Sequence, residues 1–167
     1  MEISAEQVKE LRQKTGAGVM DCKKALTEAG GNFDKACSII TERGLAIAKK
    51  KSDRAAEQGA IECYVHTGNH LGVMVEVNCE TDFVARTADF QELKHNIALQ
   101  ISAMAPQYIS ADEIPAGVEV DKQAACLLLQ PFIKDPSKSI QDIITETVAK
   151  TGENIKIRRF VRYELGY

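Results

Sequence analysis

The stretch from Leu71 to Cys79 constrains the fold most, because apolar and other residues alternate along it with a period of two. Such alternation predicts a β-strand with one buried face. The pattern stops after Cys79, where the side-chain oxygens of Thr81 or Asp82 can cap a following helix. Phe83 therefore lies at a strand–helix junction, beside a carboxylate. A capped helix with a core phenylalanine and an exposed functional loop both fit this pattern.

Three amphipathic segments precede the strand, each bounded by helix-start and helix-stop signals. Ser4 and Gln7 have the spacing of a capping box, and glycines interrupt the apolar pattern at Gly16 and Gly18. The predicted helices run from Ser4 to Thr15, from Val19 to Ala29, and from Asn32 to Gly44, followed by a short fourth piece at Leu45–Lys51. Helices of this number and length predict a compact three-helix module.

A run of charged residues, Lys49–Arg54, follows these helices. Because only three like charges are contiguous, a solvated linker is a better interpretation than a nucleic-acid patch. We therefore predict a helical domain over residues 1–53 and a second domain over residues 54–167.

The second domain combines period-two and helical patterns. Residues 61–65 alternate before the turn Thr67–Asn69, which predicts a hairpin with the strand that ends at Cys79. A last strand is expected near the C-terminus, with Ile155, Ile157, Val161, Tyr163 and Leu165 on one face. Helices are predicted over Phe90–Met104, Ala124–Ile133 and Ile140–Val148, the last capped by Ser139. The predicted fold class is α+β, a small antiparallel sheet packed with helices.

Composition excludes some classes of protein. The net charge is −3 and the pI is near 5.7, whereas nucleic-acid and membrane-surface binders need a basic footprint. The five cysteines occupy apolar positions without CxxC spacing, so we expect buried thiols in a reducing compartment. Neither a membrane-spanning stretch nor a signal peptide is evident, and we expect a cytoplasmic protein, or a plastid stromal one.

The sequence contains no recognisable catalytic arrangement. Gly16 and Gly18 lack the third glycine and the preceding strand of a dinucleotide-binding motif, and the chain has no P-loop. His66 and His70 are too few for a zinc site, which needs three or four ligands. We therefore predict a protein that is not an enzyme and has no cofactor and no metal of its own.

Four blocks of sequence resemble the translation elongation factor Ts family, whose members exchange guanine nucleotides on elongation factor Tu. They are VKELR (Val8–Arg12), TGAGVMDCKKAL (Thr15–Leu26), EVNCETDFVAR (Glu76–Arg86) and TGENIKIRRF (Thr151–Phe160). The resemblance implies an N-terminal domain of the ubiquitin-associated type, followed by the α+β core.

The resemblance also implies roles for particular residues. Leu11, Arg12, Val19 and Met20 would form a weaker contact of the N-terminal domain with elongation factor Tu. The segment from Thr81 to Val84, with Asp82 and Phe83 between them, would enter the partner near its magnesium and nucleotide. This interpretation expects the Phe83 ring to point outward.

The chain is similar to the short forms of the family, in which a second copy supplies the missing half of the core. We therefore expect a homodimer formed through the sheet. An adaptor that binds ubiquitin-like proteins and a thiol- or metal-dependent enzyme are the alternative classes. Neither alternative accounts for the Thr81–Val84 block.

Overall fold

The computed structural model describes residues 3–166, so Met1, Glu2 and Tyr167, at the ends of the two predicted domains, lie outside the described residues. The N-terminal third consists of α1 (Ala5–Thr15), α2 (Val19–Glu28) and α3 (Phe33–Lys51). The predicted capping box at Ser4 is confirmed, since its hydroxyl accepts from the Gln7 N–H and the Gln7 side chain accepts from the Ser4 N–H. Local sequence therefore sets the start of α1.

The three helices enclose a small aliphatic core of their own. Its buried residues are Val8, Leu11, Cys22, Ala25, Leu26, Ala29 and Ala36. This cluster is separate from the larger core of the rest of the chain. The domain boundary at residue 53 stays a prediction.

The third helix is longer than predicted, because it continues through Gly44 to Lys51 without a break. Gly44 packs against α7 (Ile140–Thr151), where an added Cβ would lie 3.4 Å from the Cβ of Ala149. Close helix packing therefore explains this glycine, which we had interpreted as a helix end. Lys49–Lys51 form the last turn of α3, so this half of the predicted linker is helical.

The remainder of the chain is a three-stranded antiparallel sheet with helices on one face, and the predicted α+β class is confirmed. The strands are β1 (Gln58–Val65), β2 (Leu71–Cys79) and, last in the chain, β5 (Lys156–Glu164), with β2 in the centre. A one-turn helix, α4 (Asp82–Ala85), follows β2 and leads into the long α5 (Ala88–Met104). The core lies between the sheet, α5 and α7.

A β-bulge changes the faces of the last strand. Glu76 pairs with Arg159 while Val77 pairs with Ile157, so Arg158 has no partner across the ladder. The extra residue reverses the alternation. Ile157 is therefore buried, whereas Val161 and Tyr163 lie on the open face. The expectation that these odd positions share one face is wrong.

The helix predicted over Ala124–Ile133 is also wrong. This segment contains a one-turn helix, α6 (Lys122–Ala125), a 3₁₀ turn at Leu127–Leu129, and β3 (Pro131–Phe132), which pairs with β4 (Asp135–Ser139). Two buried glutamines explain part of this path. The Gln100 side chain donates to the Pro131 carbonyl, and that of Gln130 donates to the Ala124 carbonyl at 2.6 Å. Among the described helices, none is long and apolar enough to cross a bilayer.

Candidate functional site

The segment that follows β2 forms a capped helical turn at the edge of the core. Thr81 is the N-cap of α4, and its hydroxyl accepts from the Val84 N–H at 3.3 Å. Val84 and Ala85 are 4% and 6% exposed and belong to the main core. The turn is therefore anchored from within by two apolar side chains.

Phe83 lies on the opposite side of this turn and is 77% exposed, the largest fraction among the exposed large hydrophobic side chains described. The prediction that the ring points outward is confirmed. An exposed phenylalanine forgoes about 1.5–3 kcal/mol of burial free energy. This ring is consequently available to a pocket on another molecule.

Asp82 precedes the ring and is paired within the segment. Its carboxylate accepts a hydrogen bond from the Arg86 guanidinium at 2.9 Å, an i,i+4 ion pair in which both side chains are exposed. Exposed pairs of this kind contribute little to stability. Asp82 can therefore exchange Arg86 for a different cationic neighbour at small cost.

Two residues to which the sequence analysis gave no role form hydrogen bonds with Glu80 and Thr81, at the start of the 81–84 segment. Glu153 accepts hydrogen bonds from the backbone and hydroxyl of Thr81, and the Asn154 N–H donates to Glu80 at 2.7 Å. Both residues lie in the TGEN sequence, which the family resemblance included. A glutamate and an asparagine directly after a helix-ending glycine were the signal available in the sequence.

The four N-terminal residues assigned to the partner differ in exposure. Val19 and Met20, at the start of α2, are 48% and 63% exposed, and Arg12 is also exposed. Leu11 is completely buried in the N-terminal core, so it has no surface to offer a partner in this conformation. Among the described residues, no hydrogen bond or ion pair joins these positions to the 81–84 segment.

The cysteines next to these sites are poor nucleophiles. Burial raises the pKa of the Cys22 thiol and that of the Cys79 thiol, which keeps both protonated at neutral pH. Cys63 is exposed on the sheet, so the expectation that all five thiols are buried is wrong. Helices cover only one face of the sheet, and the Cys63 side chain lies on the other face.

The pKa of the Glu80 carboxyl is lowered, and the largest cause is the hydrogen bond from the Asn154 N–H. Partial burial opposes this shift, whereas a hydrogen bond from the Arg54 guanidinium adds to it. Because the folded protein then binds fewer protons than the unfolded chain, this contribution to stability is present at neutral pH. It is lost as the pH falls through the lowered pKa, below the ordinary value of about 4.3. We expect the free energy of unfolding of Glu80→Gln to fall less steeply below that pH.

Urea unfolding between about pH 3 and about pH 7, a range that includes the ordinary pKa values of aspartate and glutamate, measures this difference. Glu146→Gln, which changes a partly exposed glutamate on α7, is the matched control and should follow the wild-type curve. Parallel curves for wild type and Glu80→Gln would contradict the assignment.

The fold and the site together define a small α+β protein that presents one exposed aromatic side chain on an anchored turn. A sequence model of the family described as "Elongation factor TS" matches residues 3–125. A protein named "Elongation factor Ts" from Anaeromyxobacter sp. (strain Fw109-5) is 49% identical over 195 aligned positions, which cover 99% of this chain and 89% of that protein. The chain belongs to the elongation factor Ts family.

Two further relatives carry the same name. The protein from Coprothermobacter proteolyticus is 49% identical over 196 positions, covering 99% of this chain and 100% of the relative. That from Moorella thermoacetica is 45% identical over 194 positions, covering 98% and 96%. Because these alignments exceed the 167 residues of this chain, the relatives contain residues that it lacks. The family assignment made from the four sequence blocks is confirmed.

Proposed function

We propose that this protein binds elongation factor Tu in its GDP-bound form and promotes GDP release, so that GTP can bind. Family membership supports the partner and the type of activity. The single observation that supports the role of the 81–84 segment is the exposed Phe83 ring on a turn whose next two residues are buried.

In this mechanism Phe83 acts as a wedge. The ring gains burial free energy only in a partner conformation that opens an apolar site for it. Binding therefore increases the population of that conformation at the expense of the closed one. If the open conformation binds nucleotide weakly, GDP leaves faster.

Asp82 would act on the surroundings of the magnesium that accompanies the partner's nucleotide. A carboxylate near that site competes with the nucleotide phosphates for the cation. In the free protein Arg86 compensates this charge, and the weak exposed pair can separate on binding. The metal belongs to the partner, and no residue of this chain forms a covalent bond in the process.

Thermodynamic linkage makes the exchange reversible. If the factor lowers the affinity of the partner for GDP, GDP lowers the affinity of the partner for the factor to the same extent. Rebinding of nucleotide then releases the factor for another cycle. We propose on this basis that the protein is an exchange factor that needs no cofactor.

The N-terminal helices are proposed as a separate domain that makes a second contact with elongation factor Tu. Arg12, Val19 and Met20 provide the exposed surface, and buried Leu11 supports it from the core. The relatives described above are bacterial, which favours the bacterial cytoplasm over the plastid stroma as the proposed location.

Release of a fluorescent GDP analogue from elongation factor Tu tests the proposal. We expect catalytic amounts of this protein to accelerate release in the presence of excess unlabelled nucleotide. An unchanged release rate at a saturating concentration of the factor would contradict the proposed function.

We also propose a homodimer formed through the open face of the sheet. Helices cover the other face, while this face carries the exposed side chains of Ile61, Cys63, Val65, Met74, Val161 and Tyr163. Cys63, Met74 and Val161 lie in one row across the three strands. An apolar patch of this kind is complementary to a copy of itself, as a two-fold interface requires.

Val161→Asp is expected to convert the dimer to an 18.3 kDa monomer, because it places an unpaired charge in the apolar row that crosses the three strands. Sedimentation equilibrium at micromolar concentration measures the mass. Val118→Asp, at an exposed loop position, is the matched control and should remain dimeric. A wild-type protein that sediments only as a monomer would contradict the homodimer.

A further inference from the structure

Glu153 binds Thr81 with both oxygens of its carboxylate. Oε2 accepts from the Thr81 N–H at 3.0 Å, and Oε1 accepts from the Thr81 hydroxyl at 2.7 Å. The two residues are 72 positions apart in the chain. Hydrogen bonds to an ionised acceptor are shorter and stronger than neutral ones. This is the tightest tertiary connection to the Thr81–Val84 segment.

The bond to the hydroxyl determines how Thr81 caps the helix. A hydroxyl has a single hydrogen, and here Glu153 accepts it. The lone pairs of the oxygen are then directed to the Val84 N–H, which donates at 3.3 Å. Glu153 therefore orients the N-cap and, through it, the first turn of α4. Phe83 lies in that turn.

Asn154 extends the connection to the segment that follows the N-terminal helices. Its N–H donates to Glu80, and its side-chain amide donates to the carbonyls of Ser52 and Arg54 at 3.2 and 2.7 Å. Arg54 in turn contacts Glu80 at 3.3 Å. One turn thus holds both the residues before Phe83 and the segment that joins the two parts of the chain.

The turn itself is fixed at its first residue. Gly152 ends α7 with φ +73°, a left-handed conformation that favours glycine, and its carbonyl accepts a hydrogen bond from the Lys51 ammonium. Its position therefore depends on α7 and on the last turn of α3.

We propose that Glu153 is a positioning residue, which holds the Thr81–Val84 segment so that Phe83 is presented in one orientation. Asn154 attaches the connecting segment Ser52–Arg54 to the same turn. The effect on nucleotide exchange rests on the proposed function, whereas the effect on the order of the segment is a property of this chain alone.

The order of the segment is tested in the free protein. Backbone ¹⁵N order parameters of residues 81–84 are expected to fall from about 0.85 to below about 0.6 in Glu153→Ala. Glu153→Gln should keep intermediate values, because its amide can still accept from the Thr81 N–H. Glu146→Ala, which removes a partly exposed glutamate of α7 that pairs with Lys138, is the matched control and should leave the segment ordered.

A second probe uses the absence of tryptophan from the chain. Phe83→Trp introduces a single tryptophan at the tip of the turn, whose emission is excited selectively over that of the four tyrosines. Adding Glu153→Ala to this variant should lower the anisotropy of Trp emission, while adding Glu146→Ala should not. Unchanged order parameters together with unchanged anisotropy would overturn the proposal.

In the exchange assay, Glu153→Ala should lower kcat/KM for GDP release about tenfold, as expected when two bonds to a charged acceptor are lost, and Glu153→Gln less. In a Thr81→Ala background the same change should cost only about twofold, because residues that act through one another are not additive. An equal loss in both backgrounds would overturn positioning through Thr81. If the wild type has no exchange activity, the proposed function fails, and the order measurements still decide the present proposal.

Discussion

Replacing Phe83 with alanine is expected to slow factor-stimulated GDP release roughly 10- to 100-fold. The estimate follows from the loss of about 1.5–3 kcal/mol of phenylalanine burial, available only in the open conformation of the partner. The ring is 77% exposed in the free protein, so its removal should leave the thermal midpoint unchanged. Release of a fluorescent GDP analogue measures the first quantity and circular dichroism the second.

Two variants make this result specific. Phe83→Leu should retain part of the activity, because a branched aliphatic side chain fills much of an aromatic pocket. Leu129→Ala removes an exposed apolar side chain elsewhere in the α+β part of the chain and should release GDP at the wild-type rate. If Phe83→Ala were as active as the wild type, the wedge mechanism would be wrong, although the family assignment would stand.

Phe90→Ala is expected to lower the free energy of unfolding by about 3–5 kcal/mol, the usual cost of removing a buried phenylalanine. Phe90 is completely buried among the residues of the main core, in the first turn of α5. For a chain of this size the change corresponds to a decrease in the thermal midpoint of about 10 °C. Denaturant and thermal unfolding measure it directly.

The matched control for Phe90→Ala is Phe83→Ala, which removes the same atoms seven residues earlier in the chain. Phe90→Ala should lower the thermal midpoint, because its ring is in the core, whereas Phe83→Ala should leave the midpoint unchanged, because its ring is on the surface. Folded Phe90→Ala should still accelerate GDP release at low temperature. Similar midpoints for the two variants would contradict the burial assigned to Phe90.

The position of Phe83 explains how a small domain can present an apolar group without losing it to its own core. Thr81 is held by Glu153, and Val84 is held by the core, so the residues on both sides of Asp82 and Phe83 are fixed. A turn restrained at both ends cannot easily rotate its apolar ring inward. Preorganisation of this kind reduces the entropy lost on binding.

Local sequence was sufficient to predict several helix starts and the class of fold. The caps at Ser4 and Ser139 use residues only three positions apart, and both form as predicted. The strand Leu71–Cys79 also has the predicted bounds, because its alternation is continuous. The four sequence blocks identified the family, and the outward direction of Phe83 followed from that resemblance.

Other features depended on contacts between distant residues. Gly44 is inside a helix because it packs on Ala149, and Arg158 forms a bulge because β5 must pair with β2 on both sides of it. Neither contact has a signal in a short window of sequence.

The sequence by itself therefore determined most of the helices and strands, the family and the candidate segment Thr81–Val84, since caps and periodicity act within a few residues. Only the tertiary structure decided which sheet face stays open and which residues hold the site. The role of Glu153 depends on a pair of hydrogen bonds that span 72 residues. Such a contact exists only after the chain has folded, when the turn after α7 lies beside the end of β2.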